Sequence, residues 1–125
     1  IQDIWTLHPN KVAELKWYDT DFGKRDYTNT PEEEVSIVAR NIETFARFCW
    51  EPYMHNPKLK IRLHRVKAPT LFVWGEKDGV TTTTYGKAYS EQVPGAKFVT
   101  VAKAGHYPQI EQPQAVLQQI NPFLG

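Results

Sequence analysis

Pro69-Thr70-Leu71-Phe72-Val73-Trp74-Gly75-Glu76-Lys77-Asp78 is the stretch that decides how this chain folds. Leu71 to Trp74 is a continuous apolar run, the mark of a strand covered on both faces of a parallel sheet. Pro69 punctuates its start, and Gly75 and Gly79 bracket a sharp loop after it. Working outward, Tyr85, Ala88, Tyr89 and Val93 predict a helix that ends at Pro94-Gly95. Lys97 to Val101 is β-branched and aromatic, which predicts a second strand. Gly105 turns the chain again, and Pro113 starts a last helix with Val116, Leu117, Ile120 and Phe123 facing inward. Strand, helix, strand, helix is the order of an α/β fold whose strands run parallel.

Residues 1–64 have a different grammar of helices joined by polar loops. His8-Pro9-Asn10 precedes Val12, Ala13, Leu15 and Trp17, a short helix with weak caps. Asp19 to Asn29 is rich in turn formers and reads as a loop. Thr30 as N-cap, Pro31 at the first helical position and Glu33 as the partner of a capping box then predict a long helix. Glu32, Glu33 and Glu34 put negative charge at its positive end. Val35, Val38, Ile42, Phe45, Ala46 and Cys49 fall on one face, which predicts burial there. The helix should stop near Trp50, because Pro52 disfavours helix at the residue before it.

The 125 residues suit one domain, with 41% apolar and 23% charged residues. Fifteen Lys and Arg against fourteen Asp and Glu leave a charge of +1. That balance argues against a nucleic-acid partner, which a marked basic excess would signal. The longest purely apolar run is far below the roughly 18 residues of a membrane helix, so no membrane partner is expected. A single cysteine excludes an internal disulfide and any multi-cysteine zinc site. No secretory signal is visible, so the compartment stays open, with the cytoplasm favoured. The chain begins at Ile1 rather than Met, which suggests a processed product, a trimmed chain or part of a longer one.

In open α/β sheets the functional groups gather just past the carboxyl ends of the strands. Asp78 lies four residues past Trp74, and His106 lies five past Val101, in Ala104-Gly105-His106-Tyr107-Pro108. Adjacent parallel strands would bring the two loops together. A carboxylate that accepts from one imidazole N–H fixes the tautomer and leaves the other nitrogen free as a general base.

PTLFVWGEKD (69–78), VPGAKF (93–98), AGHYPQIEQP (104–113) and the terminal amphipathic helix together resemble the C-terminal signature of the α/β-hydrolase fold superfamily. WEPYMHNPKLKIRLHRV (50–66) is similar to the segment that returns the chain from cap to core in that superfamily. The resemblance implies a fold class of α/β, specifically the C-terminal half of an α/β-hydrolase: residues 1–64 a helical cap remnant and return segment, residues 65–125 the last part of the core. It implies that Asp78 is the triad acid and His106 the triad base of an esterase-like hydrolase with a small-molecule ester-like substrate. No metal and no organic cofactor is implied.

The superfamily's G-x-S-x-G elbow is not in this sequence. Its serines are Ser36 and Ser90, neither flanked by the required glycines, and no HGGG-like oxyanion segment occurs. The chain is therefore expected to be inactive alone. Two parallel strands leave apolar edges, so it is expected to be stable only when docked on its missing N-terminal half or assembled with copies of itself. Two other readings stay open. Relatives with the same tail use an Asp nucleophile on epoxides or haloalkanes. A truncated, non-enzymatic protein could instead oligomerise through its sheet edge.

Other residues have plainer readings beside sharper ones. Glu76 is a second candidate for the acid, although its side chain should point away from that of Asp78. Glu111 reads as a structural partner to backbone or to a basic residue. Cys49 reads as inert core rather than a nucleophile. His8, His55 and His64 lack metal-site spacing and read as surface or hydrogen-bonded histidines. The basic stretch from Lys58 to Lys67 reads as a solvated face rather than a phosphate site. Trp50, Tyr53 and Met54, with Trp17, are candidates to line a substrate pocket, against the plainer reading of aromatic core.

Overall fold

A computed structural model describes residues 4–24, 27–51 and 54–125. The predicted strand–helix–strand–helix order is there. Strand β1 is Leu71–Gly75 and strand β2 is Lys97–Val101, and they pair in parallel from Leu71 opposite Lys97 to Gly75 opposite Val101. Ahead of them come helices α1 (Pro9–Lys16), α2 (Thr20–Gly23) and α3 (Glu32–Phe48) and a 3₁₀ segment, Lys60–Arg65. Helix α4 (Thr83–Ser90) links the strands, and α5 (Pro108–Glu111) and α6 (Pro113–Leu124) follow β2.

The core is small and lies against the sheet. Val101, Ala104 and Val116 are buried, with Val73, Ala115 and Ile120 packed on them. Among the described residues the sheet has two strands, so Leu71 to Trp74 are half-buried rather than covered on both faces. Of the predicted inward face of α6, Val116 is buried and Ile120 joins the core, while Leu117 is exposed.

Helix α4 is rotated from its expected face. Gly86, Ser90 and the following Val93 are buried, whereas Ala88 and Tyr85 are exposed. The cause is Trp74, whose indole lies where a side chain on Gly86 would project: a Cβ there would be 2.6 Å from the ring. The glycine lets helix and strand approach, and the Trp74 indole N–H donates to the Thr81 carbonyl at 2.8 Å.

Packing divides the chain into two compact units, Ile1–Lys24 with Leu63–Gly125, and Arg25–Arg62. The division of contacts thus differs from the one drawn at 64/65, because α1 and the residues after it bond to the sheet loops. In the second unit α3 starts one residue later than predicted. Pro31, extended at φ −54° and ψ 141°, is its N-cap and supplies no side-chain bond, so Thr30 does not hold the cap position. The expected buried face of α3 is not formed: no residue of the helix is buried, and Ile42 and Phe45 are exposed. Cys49, read as core, is only half-buried.

Candidate functional site

The parallel register aligns the carboxyl ends of the two strands, with Gly75 opposite Val101. Asp78 and His106 leave the sheet at that end on neighbouring loops. The loops are held at backbone contact: the Glu76 N–H donates to the Val101 carbonyl and the Lys77 N–H to the Ala104 carbonyl, each at 2.9 Å. Glycines make this possible. A Cβ on Gly75 would fall 1.8 Å from the Gly105 carbonyl oxygen, and one on Gly105 would fall 2.4 Å from that of Lys16.

Asp78 Oδ2 and His106 Nδ1 lie 2.9 Å apart. Asp78 is 8% exposed, and its other contacts are all donors. Oδ1 accepts from the Val80 and Thr81 N–H groups, each at 2.9 Å, and Oδ2 accepts from the Thr81 hydroxyl at 3.0 Å. Burial pushes the carboxyl pKa up, but the His106 bond, the Thr81 amide, the attraction of His106 and the Thr81 hydroxyl together hold it below the ordinary carboxylate value. An ionised carboxylate can only accept, so Nδ1 carries a proton, and in the neutral ring Nε2 holds the lone pair. The His106 side chain is 31% exposed, whereas that of Asp78 is 4% exposed.

The carboxyl end of α1 closes the site from outside the sheet. The last carbonyls of a helix need partners from elsewhere. Here the Leu15 carbonyl accepts from the Gly79 N–H at 2.9 Å, and the Lys16 carbonyl from the His106 N–H at 2.6 Å. The loop of Asp78 and the loop of His106 thus cap the same helix. Glu111 adds a second tie: Oε1 accepts from Tyr18 and Asp19 N–H groups at 2.7 and 3.2 Å, and Oε2 from the Gly105 N–H at 2.6 Å. The reading of Glu111 as a partner to backbone describes this bond pattern.

Glu76, the second candidate acid, is half-exposed beside Lys77 at 3.5 Å, and its backbone rather than its side chain serves the site. Trp17 packs 4.9 Å from Tyr107, the residue after His106, and 5.1 Å from Phe22. Trp50 is exposed, and Met54 is half-buried with a left-handed φ of 54°; both belong to the Arg25–Arg62 unit. Tyr53 lies outside the described residues. His8 is exposed and its Nδ1 accepts from the Asn10 N–H, and His55 and His64 are exposed. Among the described residues no group of His, Cys, Asp and Glu could hold a metal ion. Two residues of the site escaped sequence reading. Thr81 carries a weak signal, an Asp three residues before a Thr at a turn. Lys16 acts through its carbonyl, which no side-chain pattern reveals.

Comparison with known proteins agrees with this architecture. The chain is 25% identical over 115 residues to a 2-hydroxy-6-oxononadienedioate/2-hydroxy-6-oxononatrienedioate hydrolase of Paraburkholderia phymatum, a match that covers 92% of this chain and 40% of that protein. It is 45% identical over 47 residues to LipZ of Mycobacterium tuberculosis, covering 38% of this chain and 16% of that protein. The chain thus spans well under half the length of these relatives. The structure of a thermophilic esterase from Thermogutta terrifontis superposes with a TM-score of 0.53 at 31% identity, covering 57% of this chain and 26% of the esterase. Residues 6–113 match the alpha/beta hydrolase fold family. With that match across most of its length, this chain belongs to the alpha/beta hydrolase fold family.

Proposed function

We propose that this chain supplies the acid and base of an esterase-like hydrolase whose nucleophile lies outside these 125 residues. The observation that carries the reading is the 2.9 Å contact between buried Asp78 and His106 past the aligned ends of parallel strands. Asp78 orients His106 and steadies the imidazolium. His106 Nε2 takes the proton of an attacking hydroxyl, gives a proton to the leaving group and then activates water. The oxyanion would be held by N–H donors of the part that carries the nucleophile.

The substrate class is a small carbonyl compound, an ester in the first instance. The Paraburkholderia relative is named for a 2-hydroxy-6-oxo diacid, also a carbonyl compound, and the Thermogutta neighbour for esterase activity. Residues 1–64 are a helical cap remnant and return segment in this reading, with Trp50, Tyr53 and Met54 as candidate substrate-binding residues. The partner is the rest of the hydrolase sheet, because a two-stranded sheet with half-buried apolar strands needs neighbours along its edges. Sedimentation of the chain alone should show self-association or partial unfolding; a well-folded monomer at micromolar concentration contradicts the partner proposal.

The catalytic test uses p-nitrophenyl acetate. The chain alone should turn it over no faster than free imidazole. Joined to a hydrolase segment that bears a nucleophile elbow, it should gain esterase activity that His106→Ala lowers by a factor on the order of 10⁶. Activity that survives His106→Ala overturns the reading.

A further inference from the structure

We propose that Glu111 is a positioning residue for His106, acting by gathering three main-chain N–H groups onto one carboxylate. This rests on the reading of His106 as the general base. The two carboxylate oxygens take different strands of the chain: Oε1 takes Tyr18 and Asp19, and Oε2 takes Gly105, the residue before His106. The His106 N–H itself reaches the Lys16 carbonyl at 2.6 Å. The two successive peptides ahead of the imidazole are therefore each tied to the 16–19 segment, the Gly105 N–H through Glu111 and the His106 N–H directly. Gly105 has no space for a side chain because the Lys16 oxygen and the Tyr18 nitrogen occupy it, at 2.4 and 2.9 Å from a Cβ position. A base displaced by about 1 Å loses on the order of 100-fold in rate, so the tie has catalytic weight without touching a reactant.

The requirement is for two acceptor oxygens. In Glu111→Gln one oxygen becomes an NH₂ group, which must face an N–H donor at one end of the tie. That end opens and the Gly105–His106 peptide shifts. The test has two arms. In the chain joined to its nucleophile-bearing segment, the NMR resonance of the His106 Nδ1–H, bonded to Asp78, should be sharp in the parent and shifted or lost in Glu111→Gln, while circular dichroism is unchanged. In the active assembly, Glu111→Gln should lower kcat for p-nitrophenyl acetate by about 10–100-fold with KM within about 2-fold. Should the glutamine variant not fold, Glu111→Asp keeps the charge and shortens the reach, and the same resonance should shift. Formate added to Glu111→Ala should restore the Nδ1–H signal. An unchanged resonance and unchanged kcat in the folded Gln or Asp variant overturn the positioning role, even where His106→Ala abolishes activity. Full activity in His106→Ala would instead remove the catalytic reading, and the resonance would still decide whether Glu111 sets the imidazole.

Discussion

Replacing Asp78 by Asn keeps the shape of the side chain and inverts one hydrogen bond. With the amide oxygen at the Oδ1 position, the Val80 and Thr81 N–H groups keep their acceptor. The NH₂ group then faces the Thr81 hydroxyl, which can rotate to accept, and His106 Nδ1, which can accept only by giving up its proton. The imidazole is driven to the tautomer with the proton on Nε2, the wrong one for a base. The stability change follows from the same contacts. A bond to a charged group contributes about 1.5–3 kcal/mol and a neutral one about 0.5–1.5, so each of the two amide bonds weakens by about 1 kcal/mol. Reversal of the histidine bond removes about as much again, for a total near 3 kcal/mol. That is a large share of the roughly 5–15 kcal/mol that holds a domain together. In the chain joined to its nucleophile-bearing segment, long-range ¹H–¹⁵N correlation spectra of the neutral imidazole report which nitrogen is protonated, and urea unfolding reports the stability. An Asn variant that retains the Nδ1–H tautomer, with stability within about 0.5 kcal/mol of the parent, refutes the argument.

Three further outcomes are expected. Gly105→Ala should destabilise by about 3–5 kcal/mol, since its Cβ would fall 2.4 Å from the Lys16 oxygen and must break the His106–Lys16 bond; urea unfolding checks this. Gly86→Ala gains about 1 kcal/mol of helix propensity but crowds the Trp74 ring at 2.6 Å, so it should still lower stability by about 1–2 kcal/mol and shift the Trp74 indole N–H resonance. The Asp78 pKa is depressed by folding, so the stability it contributes is fully present above the unfolded carboxylate value, near pH 4, and is lost as pH falls through the lower folded value. Urea midpoints measured from about pH 6 downward should fall more steeply for the parent than for Asp78→Asn.

The meeting of Asp78 and His106 was legible because their positions follow from strand ends. An apolar run, a glycine and a carboxylate, and then a second strand and a histidine, locate both loops before any packing is known. Burial was less legible. The face of α3 from Val35 to Cys49 has the right period, yet Ile42 stands 50% exposed and the helix buries no residue. Periodicity tells which side of a helix seeks cover, not whether cover is present. The rotation of α4 turns on Gly86, a residue that marks a close approach only once Trp74 is seen against it. The short α2 was hidden in a stretch of turn formers, although Asp19, which accepts from the Asp21 N–H, is an ordinary N-cap. The ties through Lys16 and Leu15 are main-chain bonds and have no signature in residue type.

The chain departs from the sheet-bearing unit after Lys24 and rejoins it at Leu63. Both points are moored. Asp19 is fastened by Glu111 a few residues before the departure, and Leu63 is buried where the chain returns. The residues between them form a compact unit of their own. Lengthening or exchanging it adds only a slowly growing loop-closure penalty. Graft variants that trade the intervening residues for a different helical insert should keep Asp78 and His106 in register, so new surfaces can be tried on this scaffold without disturbing their contact.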